Sequence, residues 1–424
     1  MKKYILIFIT LTITLASCRK EADYVPYIGE SGKLAYGNYT EQFQYIWKCI
    51  STGYVFWDVD TVDWDAAYER FKPKFKALDQ KFLDSGYVRT AELGAIYDSM
   101  MGTMRDHHMT VVIRNIHPAP DDVTNLATIT PGSKEVSSRD YFIEKSTDEQ
   151  SGIMAFLSGI EGNYTIAEKL HATAQIPEMS NTTVQYIYML ITLDDGRKIA
   201  YLWQSIASIT PVMRGEDTSG AKALLEHWFG VIADTPREQL AGIILDNRAN
   251  RGGFQDDLDY LVGQYINQRT CIMYTRYKEG PGRLEHSVWT PYYIYPQSNY
   301  HRDLTAENIP YVVLCDINSV SMGEIEPMVI RSVLPTAHII GERTYGATGP
   351  LQPVADIDLN YGGPFGNYWE HHHYVYTSTF EARINGRVWE GVGFTPDEIV
   401  LRKDYEGDFK PQLDAAIRYI QNAK

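Results

Sequence analysis

The feature that most constrains the fold of this chain is an alternation of apolar strands and amphipathic helices after Lys198. Strands are predicted at 199–203, 241–246, 311–316 and 338–341, and helices at 219–233, 256–267, 322–333 and 411–420. Strands separated by helices favour crossover connections and a largely parallel sheet. The pattern therefore predicts an α/β core over residues 198–424.

The residues before this core divide into regions of different composition. Apolar residues at helical spacing predict a helical domain at 38–110, and apolar runs bounded by turn signals predict a small β domain at 111–197. At the start, Lys2 and Lys3 precede a short apolar run that ends in small residues and Cys18. This is the pattern of a lipoprotein signal peptide over residues 1–18, followed by a polar tether at 19–37.

The signal pattern predicts where the protein is found. The end of the apolar run resembles a bacterial lipobox and Bacteroidetes-type lipoproteins, although an ordinary signal peptide with an incidental Cys18 is the alternative. We therefore expect an exported protein that is held by lipid alone on the outer membrane of a Gram-negative bacterium, on its periplasmic face or at the cell surface. The formal net charge of -15, without a basic stripe, argues against nucleic acid as a partner. No sequence feature indicates the oligomeric state.

Ser321 lies where an apolar strand gives way to a helix. The strand-like run ends at Cys315, a polar turn follows, and the helical pattern begins at Met322. The first turn of a helix presents free N–H groups and a positive dipole potential, which suit the oxyanion formed when a serine attacks a carbonyl. A serine here is also a common N-cap, so the motif alone leaves both interpretations open.

A second segment ends another predicted strand in polar residues and paired glycines. Asp246, Arg248 and Asn250 follow the strand, and Gly252 and Gly253 come next. Paired glycines let backbone N–H groups approach a ligand because no Cβ stands in the way. An ordinary strand-to-helix turn is the alternative interpretation.

Together and in this order, these segments resemble the serine peptidases of the C-terminal processing peptidase and tricorn protease superfamily. That family carries Asp-Leu-Arg-x-Asn-x-Gly-Gly, then Ser-x-Ser-x-x-Glu, and a Gly-Glu-x-Thr-x-Gly element, which here is Gly341 to Gly346. The resemblance covers most of the chain from about Tyr39 to Ile420, except the middle region.

The resemblance implies a fold and an activity. The fold would be α/β, with a crotonase-like β-β-α superhelical core at 198–424. The activity would be that of a serine-type endopeptidase or peptidase, which hydrolyses peptides or unfolded proteins through an acyl-enzyme and without a cofactor. Many relatives carry a PDZ domain in the middle region. Residues 111–197 lack its carboxylate-binding loop, so this region is PDZ-like at most.

The base of the reaction is where the sequence departs from most relatives. Most place a lysine directly after the Gly-Glu-x-Thr-x-Gly element, and Ala347 stands there. Because no lysine occurs between Glu279 and Arg402, the usual Ser–Lys pair is excluded. The tricorn-like branch takes a histidine from the end of its helical domain, and His108 matches that position. His107 stands where that branch often has a hydroxyl residue, and it is the alternative base.

The resemblance also suggests the remaining site residues. Glu390 matches a family carboxylate that would orient the histidine base, and Asp106 is a weaker candidate for this role. The oxyanion hole would use the N–H of Gly252 or Gly253 together with that of Met322.

Other interpretations of the chain remain open at this stage. Without the lysine, it could be a catalytically inactive ligand- or peptide-binding lipoprotein on the same scaffold, or more remotely a carbohydrate-binding module. Arg251 would narrow the pocket or bind a substrate carboxylate, unless it faces solvent. His371 and His373 share a strand face that suits zinc, but no third ligand is evident, so we expect no metal. Cys315, inside an apolar strand, is more typical of a structural cysteine than of a nucleophile.

Overall fold

The computed structural model describes residues 37–143, 148–215, 219–351, 361–366 and 373–423. The signal peptide, Cys18 and nearly all of the tether lie outside the described residues, so the lipid anchor stays a prediction. Among the helices described, none has both the length and the apolar character to cross a membrane.

The N-terminal part of the described chain is helical, as predicted. It consists of α1 (Tyr39–Gly53), α2 (Trp64–Ser85) and α3 (Thr90–Met101). Asp63 caps α2 by accepting a hydrogen bond from Ala66 N, and Gly86 ends that helix in the left-handed conformation. The apolar faces of the three helices meet in one aromatic-rich core, which includes Phe43, Phe75 and Tyr97.

The rest of the chain mixes strands and helices. The middle region contains β1 (Thr110–Arg114), β2 (Leu126–Ile129), α4 (Pro131–Ser137), α5 (Glu149–Ser158), β3 (Ile166–Ile176) and β4 (Thr182–Thr192). The first half of the core contains β5 (Lys198–Gln204), α6 (Ile209–Arg214), α7 (Ala221–Asp234), β6 (Leu240–Asp246), α8 (Asp257–Leu261), β7 (Thr270–Tyr277) and β8 (Thr290–Ile294). The second half contains β9 (Tyr311–Cys315), α9 (Met322–Val333), β10 (Ala337–Gly341), β11 (Phe365–Gly366), β12 (His373–Tyr376), β13 (Phe380–Ile384), β14 (Arg387–Val388), β15 (Glu398–Ile399) and α10 (Lys410–Asn422).

A seven-stranded sheet in the order β15-β10-β9-β6-β5-β4-β3 forms the centre of the molecule. All pairs from β5 to β15 are parallel, and β4 is antiparallel to both of its neighbours. Helices α7, α8 and α9 pack on one face, and α5 and α10 pack on the other, so each face has its own apolar core. This arrangement confirms the predicted α/β class with a largely parallel core.

The strands of residues 111–197 do not form a sheet of their own. β1 and β2 join β11 and β12, whereas β3 and β4 extend the central sheet. Six consecutive β4 residues, Tyr186 to Ile191, are buried, which suits a strand that is covered on both faces rather than a strand of a small separate domain. The third sheet, in the order β14-β13-β7-β8, lies entirely within the C-terminal half.

The helix predicted at 256–267 is shorter in the structure. α8 ends at Leu261 and is followed by a single 3₁₀ turn at Gly263–Tyr265. A Cβ at Gly263 would lie 2.9 Å from the carbonyl oxygen of Tyr295, so close packing against that backbone replaces a further helical turn.

Candidate active site

Three polar segments meet at the carboxyl edge of the parallel sheet, because each follows one of three neighbouring strands. Residues 247–253 follow β6, residues 316–321 follow β9, and residues 342–347 follow β10. Hydrogen bonds from Val320 N to Asn250 O (2.9 Å) and from Tyr345 N to Ser319 O (3.1 Å) join the segments in series. Clefts at the carboxyl ends of parallel strands are where open α/β sheets bind ligands.

Ser321 has a backbone conformation that is rare for a residue with a side chain. Its φ is 56° and its ψ is -123°, and it stands directly before the first residue of α9. Although it occupies the N-cap position, its side chain makes no capping hydrogen bond. Ser321 is therefore not an ordinary N-cap. The strained turn holds its hydroxyl at the positive end of α9, in the way a nucleophile elbow does.

Gly252 lies against Ser321, and Gly253 lies against Ala207. A Cβ on Gly252 would come within 2.5 Å of the Ser321 Cβ, and one on Gly253 within 2.0 Å of Ala207 O. Both glycines have positive φ, at 89° and 148°. No other residue type fits here without displacing the turn that carries Ser321.

The N–H groups of the two glycines differ in what they contact. Gly252 N donates to Asn250 Oδ1 at 2.9 Å, so this N–H is engaged. Within the described residues, neither Gly253 N nor Met322 N has a hydrogen-bond acceptor. These two N–H groups are therefore the ones free to bind an oxyanion.

The two histidines are both near the end of the helical region, but their surroundings differ. His107 Nδ1 lies 3.0 Å from Tyr345 O, and because a carbonyl only accepts, Nδ1 carries the proton. His108 Nδ1 is buried and has no hydrogen-bond partner in the described part of the chain. Burial lowers the pKa of both histidines, and the pKa of His108, which His107 lowers further, is about 4.

Glu390 and Asp106 both lie close to His108 in the structure. One ring nitrogen of His108 lies within 4.8 Å of a carboxylate oxygen of each acid. Glu390 is fully buried and accepts hydrogen bonds from the backbone N–H groups of His107 (2.7 Å), Thr348 (2.6 Å) and Gly349 (2.6 Å). Burial, and next the nearby Asp106, raise the pKa of Glu390 well above its usual range.

Asp106 is held by the residues that directly follow β12. Its carboxylate accepts from Thr377 Oγ1 at 2.5 Å and from Ser378 N at 2.8 Å, and also from His108 N at 2.9 Å. Asp106 thus fixes the backbone at His108 while Glu390 fixes the backbone at His107. The ligand atoms of Asp106, His108 and Glu390 lie within 4.8 Å of one another, close enough to surround a cation. Protein N–H and O–H donors already occupy the oxygens of both acids, however, which does not suit a metal site.

A cleft of about 350 Å³ connects the histidines to the nucleophile segment. Its walls include His107, His108, Val320 and Tyr345, so the residue before Ser321 and both candidate bases border one space. Within the described residues, no hydrogen bond joins Ser321 Oγ to either histidine. Hydrogen bonds of catalytic groups are often long in free enzymes and tighten when substrate binds.

Two further residues, Arg251 and Cys315, were considered from the sequence. Arg251 borders the cleft, is largely exposed and forms an ion pair with Asp148, so it neither fills the pocket nor is buried. Cys315 is fully buried in β9, and burial raises its thiol pKa well above the usual range, which makes it a structural residue.

Sequence reasoning missed two residues that organise the site. Glu324, the acid of the Ser-x-Ser-x-x-Glu motif, is buried and accepts from Thr344 Oγ1 (2.6 Å) and from the N–H groups of Gly346 and Ala347. The motif itself could have indicated this role. The other is Arg139, which donates to the carbonyl oxygens of Thr344 and Tyr345. Nothing in the sequence near Arg139 signals those contacts.

The structure describes one of the two histidines of the possible zinc site, and the surroundings of that histidine do not support a metal there. His371 lies outside the described residues, and His373 is buried in β12 with its ring 5.2 Å from that of Tyr45. In a second group, the ligand atoms of Asp58, His286 and Glu381 lie within 4.8 Å of one another, close enough to hold a metal ion. Arg276 bonds both carboxylates there, and His286 Nε2 donates to Val55 O at 2.9 Å, so that nitrogen has no lone pair for a metal.

Comparison with known proteins agrees with the α/β fold and with the serine-centred site described above. The family model of peptidase family S41 matches residues 222–400, which include Ser321, both glycines and Glu390. Among solved structures, a candidate peptidase from Parabacteroides merdae ATCC 43184 is 21% identical, with a TM-score of 0.59 over 91% of this chain and 97% of that chain. Mature CPAF complexed with lactacystin is 14% identical, with a TM-score of 0.54 over 91% of this chain and 99% of that chain. No curated protein matches the sequence of the chain.

These comparisons show a similarity to one peptidase family over less than half of the chain. The structural likeness, at such low identity, shows the fold alone. Residues 222–400 are similar to peptidase family S41, and this similarity supports a serine peptidase scaffold for that region.

Proposed function

We propose that the protein is a serine peptidase in which Ser321 is the nucleophile and His108 is the base. The observation that carries this proposal is the strained backbone of Ser321 at the start of α9, with a hydroxyl that does not cap the helix. A conformation of this kind costs of order 1–3 kcal/mol and persists where surrounding structure and function require it. The branch of the family that takes its base from the helical domain is the one that this arrangement fits.

The reaction would proceed in two steps. In the first, Ser321 Oγ attacks the peptide carbonyl carbon while His108 takes the hydroxyl proton, and the N–H groups of Gly253 and Met322 bind the oxyanion. His108 then gives the proton to the leaving amine, so the C–N bond breaks and an ester to Ser321 remains. In the second step, a water attacks the ester carbonyl while His108 takes its proton, and His108 then gives that proton to Ser321 Oγ as the ester C–O bond breaks. Glu390 would stabilise the imidazolium in both steps.

Hydrolysis of fluorescently labelled casein, an unfolded protein, tests the proposal. Ser321→Ala should lower the rate by about 10³-fold or more, because the nucleophile is lost, while the melting temperature stays nearly unchanged. Ser332→Ala is the matched control, since Ser332 lies on the same helix and its hydroxyl bonds only the Val329 carbonyl. Equal activity of the two variants would contradict the proposal. If the purified wild type is inactive and still binds casein, the protein is a binding protein on this scaffold.

A further inference from the structure

The segment Thr344 to Ala347 connects the nucleophile to the histidines. On one side, Tyr345 N bonds Ser319 O, and Glu324 on the first turn of α9 accepts from Gly346 N and Ala347 N. On the other side, the carbonyl of Tyr345 accepts from His107 Nδ1. The position of this segment therefore sets the spacing between Ser321 and the residues around His108.

Arg139 holds the same segment from outside the catalytic region. Its guanidinium donates to Thr344 O at 2.7 Å and to Tyr345 O at 2.8 Å, and only 8% of the residue is exposed. The Tyr345 carbonyl thus receives two donors, Arg139 and His107, which fill both of its lone pairs. Glu135, one helical turn earlier, pairs with the guanidinium at 2.6 Å and fixes its plane.

We propose that Arg139 is a positioning residue of the peptidase site, which acts on the base through the Tyr345 carbonyl and His107. The inference rests on the proposed function, and it adds a residue from a part of the chain that precedes the S41-matched region. A guanidinium suits this position because its planar fork donates to two neighbouring carbonyls at once, which a lysine ammonium does not reproduce.

The charge of Arg139 gives this role a signature that a purely structural role lacks. The groups that face His107 are Glu135, Asp106 and the Tyr345 carbonyl, which favour its protonated form, and Arg139, which opposes it. The neighbouring His108 ring and the Glu390 carboxyl, which accepts from His107 N, complete its surroundings. Neutralising Arg139 should therefore raise the pKa of His107, which titration of that ring would report directly.

The experiment compares three variants in single-turnover acylation by p-nitrophenyl acetate across pH. Arg139→Gln should acylate about 10- to 100-fold more slowly, because small displacements of reacting groups have effects of this size. Arg139→Lys should be slower than wild type but keep the wild-type pKa of His107, because the positive charge remains. Arg343→Gln is the matched control, because Arg343 bonds Glu135 and Tyr141 but neither carbonyl, and it should stay within about twofold of wild type.

A second measurement separates this inference from the proposed function. If wild type is not acylated at all, the peptidase assignment fails, and histidine titration by NMR then decides the role of Arg139. A higher His107 pKa in Arg139→Gln than in Arg343→Gln supports the inference. It is overturned if Arg139→Gln matches Arg343→Gln both in acylation and in the His107 titration.

Discussion

Burial determines the chemistry of His108. Removing the ring from water disfavours its charged form, and the neighbouring His107 adds to this effect, so the pKa of His108 falls to about 4. The imidazole is then neutral, and able to accept a proton, throughout the neutral range. The same burial makes the imidazolium that forms during acylation costly. In the proposed mechanism, the buried Glu390 beside the ring would stabilise that charge.

The pH dependence of acylation follows from this low pKa. An unperturbed histidine base would lose activity as pH falls through roughly 6–7, whereas His108 should support acylation down to about pH 4. A histidine whose folded-state pKa lies below its unfolded value also destabilises the protein as pH falls from the unfolded pKa to the folded one. Acylation rates should therefore be measured with melting temperatures at each pH. A midpoint at 6–7 in protein that is still folded would contradict the assignment of a buried neutral base.

Substitutions at the two histidines distinguish their roles. His108→Ala should slow acylation by about 10³-fold, because the proton acceptor is lost. His107→Ala should cost less, since that ring orients the site through Tyr345. Glu390→Gln should be intermediate, because the imidazole remains but its charge is poorly supported. Single-turnover kinetics with p-nitrophenyl acetate give all three values, and a larger loss for His107→Ala than for His108→Ala would exchange the two assignments.

Three strand-to-loop transitions lie side by side and form the candidate site. β6, β9 and β10 are neighbours in the sheet, and the chain after each strand turns sharply through residues with positive φ or with buried polar side chains. Gly252 and Ser321 share a tight contact, since a Cβ on Gly252 would lie within 2.5 Å of the Ser321 Cβ. The geometry of the nucleophile therefore depends on a residue 69 positions earlier in the chain.

The contact at Gly252 can be tested against a glycine with the same backbone conformation. Gly252→Ala should abolish acylation, because its Cβ would lie 2.5 Å from the Ser321 Cβ and also force a residue with φ of 89°. Gly220→Ala provides the control, since Gly220 has φ of 85° and nothing within 4 Å of a new Cβ. Both variants should lose about 1 kcal/mol of stability from backbone strain, Gly252→Ala should lose more because its Cβ also overlaps with Ser321, and only Gly252→Ala should lose activity. Equal acylation by the two variants would mean that Gly252 does not shape the nucleophile turn.

The strand and the helix on either side of Ser321 could be predicted because their sequence signals are local. The strand before Ser321 and the helix after it follow from a run of apolar residues and from helical periodicity, and α9 has the predicted bounds, Met322–Val333. The positive φ of Ser321, the engaged N–H of Gly252 and the contacts of Arg139 were not predictable. Each depends on residues that are distant in sequence and adjacent only after folding. For the same reason β3 and β4, which sequence alone suggested as part of a small domain, join the central sheet.

At the scale of the whole molecule, the proposed base and the proposed nucleophile lie beside different apolar cores. His108 follows the N-terminal helical core, whereas Ser321 lies at the edge of the central sheet. The loop between β7 and β8 joins the two parts. Its Arg283 bonds Asp65 (2.6 Å) and Ser51 (2.9 Å) and lies over the rings of Trp47 and Trp57. Under the proposed function, activity would depend on how firmly this loop holds the helical part against the sheet.

Removing the Arg283 contact should affect activity more than stability. Arg283→Ala should slow acylation about tenfold, because a small shift of the helical core moves His108 relative to Ser321. The melting temperature should change little, since the ion pair with Asp65 is partly exposed and such pairs are weak. Arg269→Ala is the control, because Arg269 lies over Tyr293 and has no contact with the helical core in the described structure. An unchanged acylation rate in Arg283→Ala would show that the loop does not set the catalytic spacing.

The most direct test of the mechanism is to locate a covalent adduct on the nucleophile. Purified protein would be treated with a fluorophosphonate, which reacts with activated serines, and the intact mass and the modified peptide would be determined by mass spectrometry. The expected result is one adduct per chain on Ser321, no adduct in Ser321→Ala, and labelling about 10³-fold slower in His108→Ala. A wild-type protein that stays unmodified, or that is modified at another serine, would contradict the assignment of Ser321 as the nucleophile.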